Sequence, residues 1–244
     1  MPSKNLLFAA SLMLFSTGCS HYILPVNHLE TPEVRGEGKI GRLEGPGIFM
    51  GNDLSKSPVM SKADATKGET AVPLVRSGFN TGIGFVKAWS DKIDIGVRFQ
   101  PQAPFALRFK YQLTGHPEIQ SKKGDFSTAV AFAPGFLMAP NSVSFFSYDM
   151  SYIAGYRLGD HHLISLSPFF TSATLSGVRQ NVAGSTGGGP GPDSITANQY
   201  GVGLGYQYTV EDLFLRPEIA YAKGSVVDSQ VGGFYLGALL GLQL

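Results

Sequence analysis

Eight charged residues stand at alternating positions within otherwise apolar stretches: Asp94, Arg98, Arg108, Lys110, Asp149, Arg157, Arg216 and Glu218. In an extended chain, residues i and i+2 share a face. Arg108 and Lys110 therefore lie together, as do Arg216 and Glu218, opposite to Phe105, Leu107, Phe109 and Tyr111 or Leu213, Leu215 and Ile219. Arg98 and Arg108 fall on neighbouring segments joined by a short turn and should lie close together. Unpaired charges in a confined interior are expensive, so such a set either pairs off into a filling salt-bridge network or lines a small, weakly selective passage for polar solutes and ions.

Other arrangements offer less. His161 and His162 are adjacent, so in a strand they point to opposite faces and do not chelate one metal. His116, beside Pro117, has no evident partner. Gly36-Glu37-Gly38-Lys39-Ile40-Gly41 matches a dinucleotide fingerprint in spacing, but no strand precedes it and no helical pattern follows. Gly237 and Gly241 stand four apart in a strand pattern, where the helix-packing meaning of that spacing does not apply. No catalytic set, metal site or cofactor is read from these residues.

What must position the charged set is legible in the alternation. Even positions from Tyr200 to Val210 read Tyr200, Val202, Leu204, Tyr206, Tyr208 and Val210, against Gly201, Gly203, Gly205, Gln207 and Thr209. The last segment runs Phe234, Leu236, Ala238, Leu240, Leu242 and Leu244 on one face. The same period of two recurs in about ten segments, roughly 34–49, 74–89, 92–100, 104–113, 126–138, 143–157, 161–175, 198–210, 213–223 and 230–244. Most connections are tight, whereas 50–70 and 176–197 are long and polar. The loop at 114–125 is long on a side of otherwise tight turns, which leaves eight or twelve strands open beside ten.

Charged residues make up 15% of the 244-residue chain, against roughly 25% in an ordinary soluble domain. The second face of the strands is mostly Gly, Ala, Ser and Thr, where a soluble exterior would be dense in Lys and Glu. Small residues suit the crowded inside of a narrow barrel, and Phe, Tyr, Leu and Ile suit lipid. Trp89, Tyr111 and Tyr208 stand near strand ends, where aromatic girdles form. Lys87 shares the oily parity, but so near a turn it costs only about 0–1 kcal/mol in a bilayer. Nineteen Lys and Arg against 18 Asp and Glu leave no basic excess for a nucleic acid, and a single cysteine excludes a disulfide scaffold.

At the N-terminus, Lys4 precedes an apolar run from Leu6 to Phe15, then Ser16-Thr17-Gly18-Cys19. The run is too short to span a bilayer and fits a secretory signal. Cys19 after small residues resembles the lipobox of bacterial lipoproteins, with Ser16 departing from the usual Leu; the resemblance implies lipid attachment at Cys19. The organisation expected is a signal peptide over 1–18, a periplasmic linker over 19–33 and a transmembrane β-barrel over 34–244.

The alternation, the turn pattern and the ending Leu240-Gly241-Leu242-Gln243-Leu244 resemble small bacterial outer-membrane β-barrels of the porin-like or OmpA-like kind, although that family usually closes with Phe or Trp. The resemblance implies an all-β, closed, antiparallel up-and-down barrel in the outer membrane of a Gram-negative cell envelope. Its expected partners are outer-membrane lipid and the barrel assembly machinery, which reads the C-terminal strand. The function expected is a small passive pore, or a structural or surface-contact protein, without enzymatic activity. A soluble periplasmic lipocalin-like lipoprotein with an apolar ligand inside is one alternative. A lipid-A-modifying barrel enzyme is another. That family pairs His and Ser as His-x-Ser, whereas His162 and Ser165 here stand three apart, on opposite faces.

Overall fold

The computed structural model of the chain describes residues 23–36, 41–54, 77–101, 103–139, 143–176, 194–226 and 229–244. The signal segment, Cys19 and most of the two long polar loops lie outside these residues, as do the middle four residues of the Gly36–Gly41 motif.

Eleven strands are present: β1 (Ile23–Pro25), β2 (Arg42–Asp53), β3 (Ser77–Ser90), β4 (Ile93–Phe99), β5 (Phe105–Thr114), β6 (Phe126–Ala139), β7 (Val143–Gly159), β8 (His162–Ser176), β9 (Ser194–Val210), β10 (Leu213–Val226) and β11 (Ser229–Gln243). Each of β2 to β10 pairs antiparallel with the next in sequence. Pairing of β11 with β2, from Ala238 opposite Ile48 to Gln243 opposite Arg42, closes the ring. The result is a ten-stranded up-and-down barrel, and the count left open by the 114–125 loop is resolved at ten. The short β1 is an extra strand, added to the last three residues of β2.

The barrel has a turn end and a loop end. Tight connections at 91–92, 160–161 and 211–212, the 115–125 connection and Leu244 lie at the turn end. The strand ends at Asp53 and Ser77, Phe99 and Phe105, Ala139 and Val143, Ser176 and Ser194, and Val226 and Ser229 lie at the other end, the loop end. Longer strands such as β7 and β9 have 17 residues, about 56 Å of chain at about 3.3 Å per residue.

The alternation sorts the two faces as the sequence implies, with the oily side outward. Phe79, Ile83, Leu107, Phe109, Phe132, Met150, Leu166, Leu204, Leu215 and Leu236 are exposed on the outside. The interior holds Arg42, Glu44, Asp94, Arg108, Lys110, Arg157, Gln199, Gln207, Arg216 and Glu218, all buried. Trp89, Tyr111 and Tyr208 face outward near the turn end, and Lys87 is exposed three residues before the end of β3.

The largest departure from the sequence reading concerns the residues before the barrel. The first barrel strand begins at Arg42 rather than 34, and residues 23–36 form no linker outside the barrel. They run through it. Ile23 lies opposite Asp53 at the loop end, and Val34 accepts a hydrogen bond from the Glu118 N–H at the turn end. Between these points Val26, Asn27, His28, Leu29, Thr31, Glu33, Val34 and Arg35 are all buried. Ile23 and Leu244 therefore sit at opposite ends of the barrel. We call residues 23–36 the strap.

Beyond β1 the strap leaves the ladder, and its sequence shows why. Pro32 lacks an N–H to donate, and Leu29 holds a left-handed φ of 54°. It leans on one side of the lumen through apolar contacts. Leu29 packs with Phe49, Phe214 and Leu239, and Val26 with Phe169, Ala220, Ala222 and Tyr235. Missing side chains make room for it. A Cβ at Gly51 would lie 2.1 Å from the Leu24 carbonyl oxygen, one at Gly155 would lie 2.7 Å from Pro32 Cγ, and one at Gly237 would lie 2.8 Å from Asn27 Cγ.

Candidate functional site: the filled lumen

A non-strand segment inside a barrel brings buried backbone N–H and C=O groups that have no ladder partner, and each must be satisfied by something. Wall side chains do this. Arg98 donates to the His28 carbonyl at 2.7 Å, and Arg216 donates to the Leu29 carbonyl. Lys110 donates to the carbonyls of Thr31, at 3.2 Å, and Glu33, at 2.7 Å. Glu218 accepts the N–H groups of His28 and Leu29 at 3.0 and 2.8 Å. Asp94 accepts the Arg35 N–H at 3.2 Å, and Gln112 accepts that of Val34 at 2.9 Å. Near the loop end Gln199 donates to the Pro25 carbonyl at 2.8 Å.

Side chains of the strap are held in the same way. Glu30 accepts two hydrogen bonds from Arg108, at 2.9 and 2.6 Å, while Arg108 also pairs with Glu44. Glu33 accepts from Arg157 through Nε, at 3.1 Å, and through Nη2. The His28 ring meets Asp149 at 3.1 Å through Nδ1, and Thr171 donates to the same carboxylate at 3.1 Å.

All eight residues that the sequence singles out thus contact the strap. Asp94, Arg98, Lys110, Arg216 and Glu218 bind its backbone; Arg108, Arg157 and Asp149 bind its side chains. The structure brings the set together, including Arg98 and Arg108, but around a segment of the chain itself. The alternation does not single out the other members of the ion pairs: Glu30, Glu33 and Arg35 come from the strap, Arg42 and Glu44 from β2, and Glu118 from the 115–125 connection.

That connection explains the long loop on the side of tight turns. It folds over the turn end and carries Glu118 inward, where the carboxylate pairs with Arg35 at 3.3 Å and Arg42 at 3.6 Å. Gln207 and Gln243 donate to its other oxygen at 3.1 and 2.9 Å. Burial by itself raises the carboxyl pKa of Glu118, but Arg42, Arg35 and Arg216 outweigh it and hold the group below the ordinary glutamate value.

The histidine candidates do not converge. His162 lies on the outer face, stacked on Tyr208 with ring centroids 5.0 Å apart, and its Nδ1 is 2.6 Å from the Tyr206 hydroxyl. Ser165 points inward and is buried, so the two lie on opposite faces of β8. His161 is exposed in the tight turn, and His116 lends its carbonyl to Gln112 and Ser121. Among the described residues no group of three or more His, Cys, Asp or Glu is placed to hold a metal.

The fold and its contents define a class: a closed ten-stranded antiparallel β-barrel filled by its own N-terminal segment. No protein-family description, curated protein or solved structure matches the chain.

Proposed function

We propose that this protein is a membrane-embedded barrel of the outer membrane, sealed by its strap. Its work would lie at the rims and outer loops, as a structural or surface-contact protein, rather than in passive conduction. The observation carrying this reading is the engagement of all eight inward charges with residues 23–36, which leaves the lumen occupied. The lipid setting is supported by the outward face: Phe, Tyr, Leu and Ile cover it, and among its described strand positions only Lys87 and Lys223 carry a full charge, each near one end of the barrel. Closure of the ring also gives each of β2 to β11 a paired neighbour on both sides, as a spanning sheet requires. A soluble ligand-binding barrel needs the reverse distribution, with an apolar cavity inside.

In this reading the turn end and the C-terminal strand face the periplasm, and the long loops face outward. Cys19 precedes Ile23 by four residues, a reach of at most about 14 Å. A lipid on Cys19 would then insert in the leaflet at the loop end rather than on the periplasmic side.

Membrane extraction tests the setting. Protein carrying Cys19→Ala should stay with membranes after an alkaline carbonate wash, because the barrel itself holds it there. Release of that variant into the wash would favour a soluble barrel tethered only by its lipid.

A further inference from the structure

The strap is off-centre. Leu29 rests on β2, β10 and β11, Val26 on β8, β10 and β11, and Leu24 on β7, β8 and β9, while between His28 and Glu30 and the inner wall from β4 to β8 remains a cavity of about 50 Å³. That is enough for one or two groups of water size, since a water occupies about 30 Å³ in the liquid. Three nitrogen-bearing side chains line it without having used their capacity. The Gln100 amide nitrogen and His28 Nε2 are buried with no hydrogen-bond partner among the described residues, although Gln100 is 3% and His28 5% exposed. Arg98 donates one hydrogen bond, to the His28 carbonyl, and stacks on the Phe49 ring at 5.0 Å.

Arg98 also stands apart in its charge. Arg35, Arg42, Arg108, Lys110, Arg157 and Arg216 each have a carboxylate within 4.0 Å. Among the described residues Arg98 has none. The two carboxylates that border the cavity are already engaged, Glu30 by both arms of Arg108 and Asp149 by His28 and Thr171. What remains facing the space is a guanidinium and an amide N–H₂, both donors only. Beside them is the His28 imidazole, whose Nδ1 is held by Asp149 and whose buried, unpartnered Nε2 is a donor once the ring is protonated.

We propose that this cavity is a binding site for a small monovalent anion of about halide size, held by Arg98, Gln100 and His28. A bound anion neutralises the half-buried Arg98, the one inward cation among the described residues without an ion pair, and gives the orphaned Gln100 amide the partner that a buried polar group needs. The site depends on the interior geometry alone, and so stands apart from whether the outer face lies in lipid.

Bromide is a suitable probe. Thermal unfolding of the purified protein in detergent is compared in sodium bromide and sodium gluconate at equal ionic strength, for wild type, Gln100→Leu and Arg98→Gln. The expected result is a higher melting temperature in bromide for wild type, with that difference lost in both variants while each keeps its β-sheet circular dichroism. Gln100→Leu removes no side-chain hydrogen bond to the strap among the described residues, so it remains informative if Arg98→Gln fails to fold. Crystals soaked in bromide should show an anomalous peak beside Arg98 and Gln100. Equal melting temperatures in the two salts, or a bromide effect that survives Gln100→Leu, would overturn the proposal, as would a cavity holding only water in bromide.

Discussion

Arg98 on β4 and Glu218 on β10 grip the same residue from two separate walls of the barrel. Arg98 donates to the His28 carbonyl at 2.7 Å, and Glu218 accepts the His28 N–H at 3.0 Å. By the shorter way round, β11, β2 and β3 lie between the two strands. Two charges that would line a pore in an empty barrel act here as the ladder partners that a non-strand backbone lacks. The strap is therefore bound as an extended peptide, residue by residue.

Ion pairs to the strap should be costly to break singly and cheap to replace together. Glu33→Leu leaves the buried Arg157 guanidinium without its carboxylate, and removing one partner of such a pair costs about 3–5 kcal/mol. Glu33→Leu with Arg157→Leu removes both charges and should cost clearly less than either single change. Urea unfolding of the four proteins in a double-mutant cycle measures this. Additive losses would mean that the two side chains do not interact.

Steric room for the strap can be removed without touching any charge. Gly155→Ala sets a methyl group 2.7 Å from Pro32 Cγ, whereas a Cβ at Gly233 meets nothing within 4 Å. Gly155→Ala should loosen the strap and lower stability by about 1–3 kcal/mol, the usual range for overpacking. Gly233→Ala should be near neutral. A cysteine pair at Leu24 and Asn52, which are opposed in the β1–β2 ladder, should crosslink in wild-type background and less readily with Gly155→Ala.

How much of this was legible in the sequence depends on what the period of two encodes. It places Tyr200 to Val210 and Phe234 to Leu244 on outward faces, and it puts Arg108, Arg157 and Glu218 inside, because a strand's parity needs no knowledge of its neighbours. It says nothing of residues 23–36, which follow no period. Glu30, Glu33 and Arg35 look like ordinary linker charges in a string, although their match to the unpaired inward cations was a signal available in principle. The glycines at 51, 155 and 237 were equally opaque, since the groups that crowd them lie far away in sequence. The loop at 114–125 stands out in the sequence as an exception, and its exception is its role: Glu118 closes the turn end.

Acid should loosen that closure. Glu118 has a lowered pKa in the folded protein, so the stability it contributes is complete above the ordinary glutamate value of 4.5 and is lost as pH falls through the lowered folded value. The protection of the 115–125 amides, measured against their intrinsic exchange at each pH, should therefore fall on acidification below about pH 4.5. Glu118→Gln should show faster exchange already at neutral pH and a shallower acid dependence. An identical pH profile in the variant would remove Glu118 from the closure.

The occupied lumen is tested most directly by conductance across a planar lipid bilayer. The full protein should insert without reproducible unitary steps, and a variant lacking residues 23–35 should give steps of defined size. Steps from the full protein equal to those of the deletion variant would mean that the strap does not fill the barrel, and the sealed reading would fall.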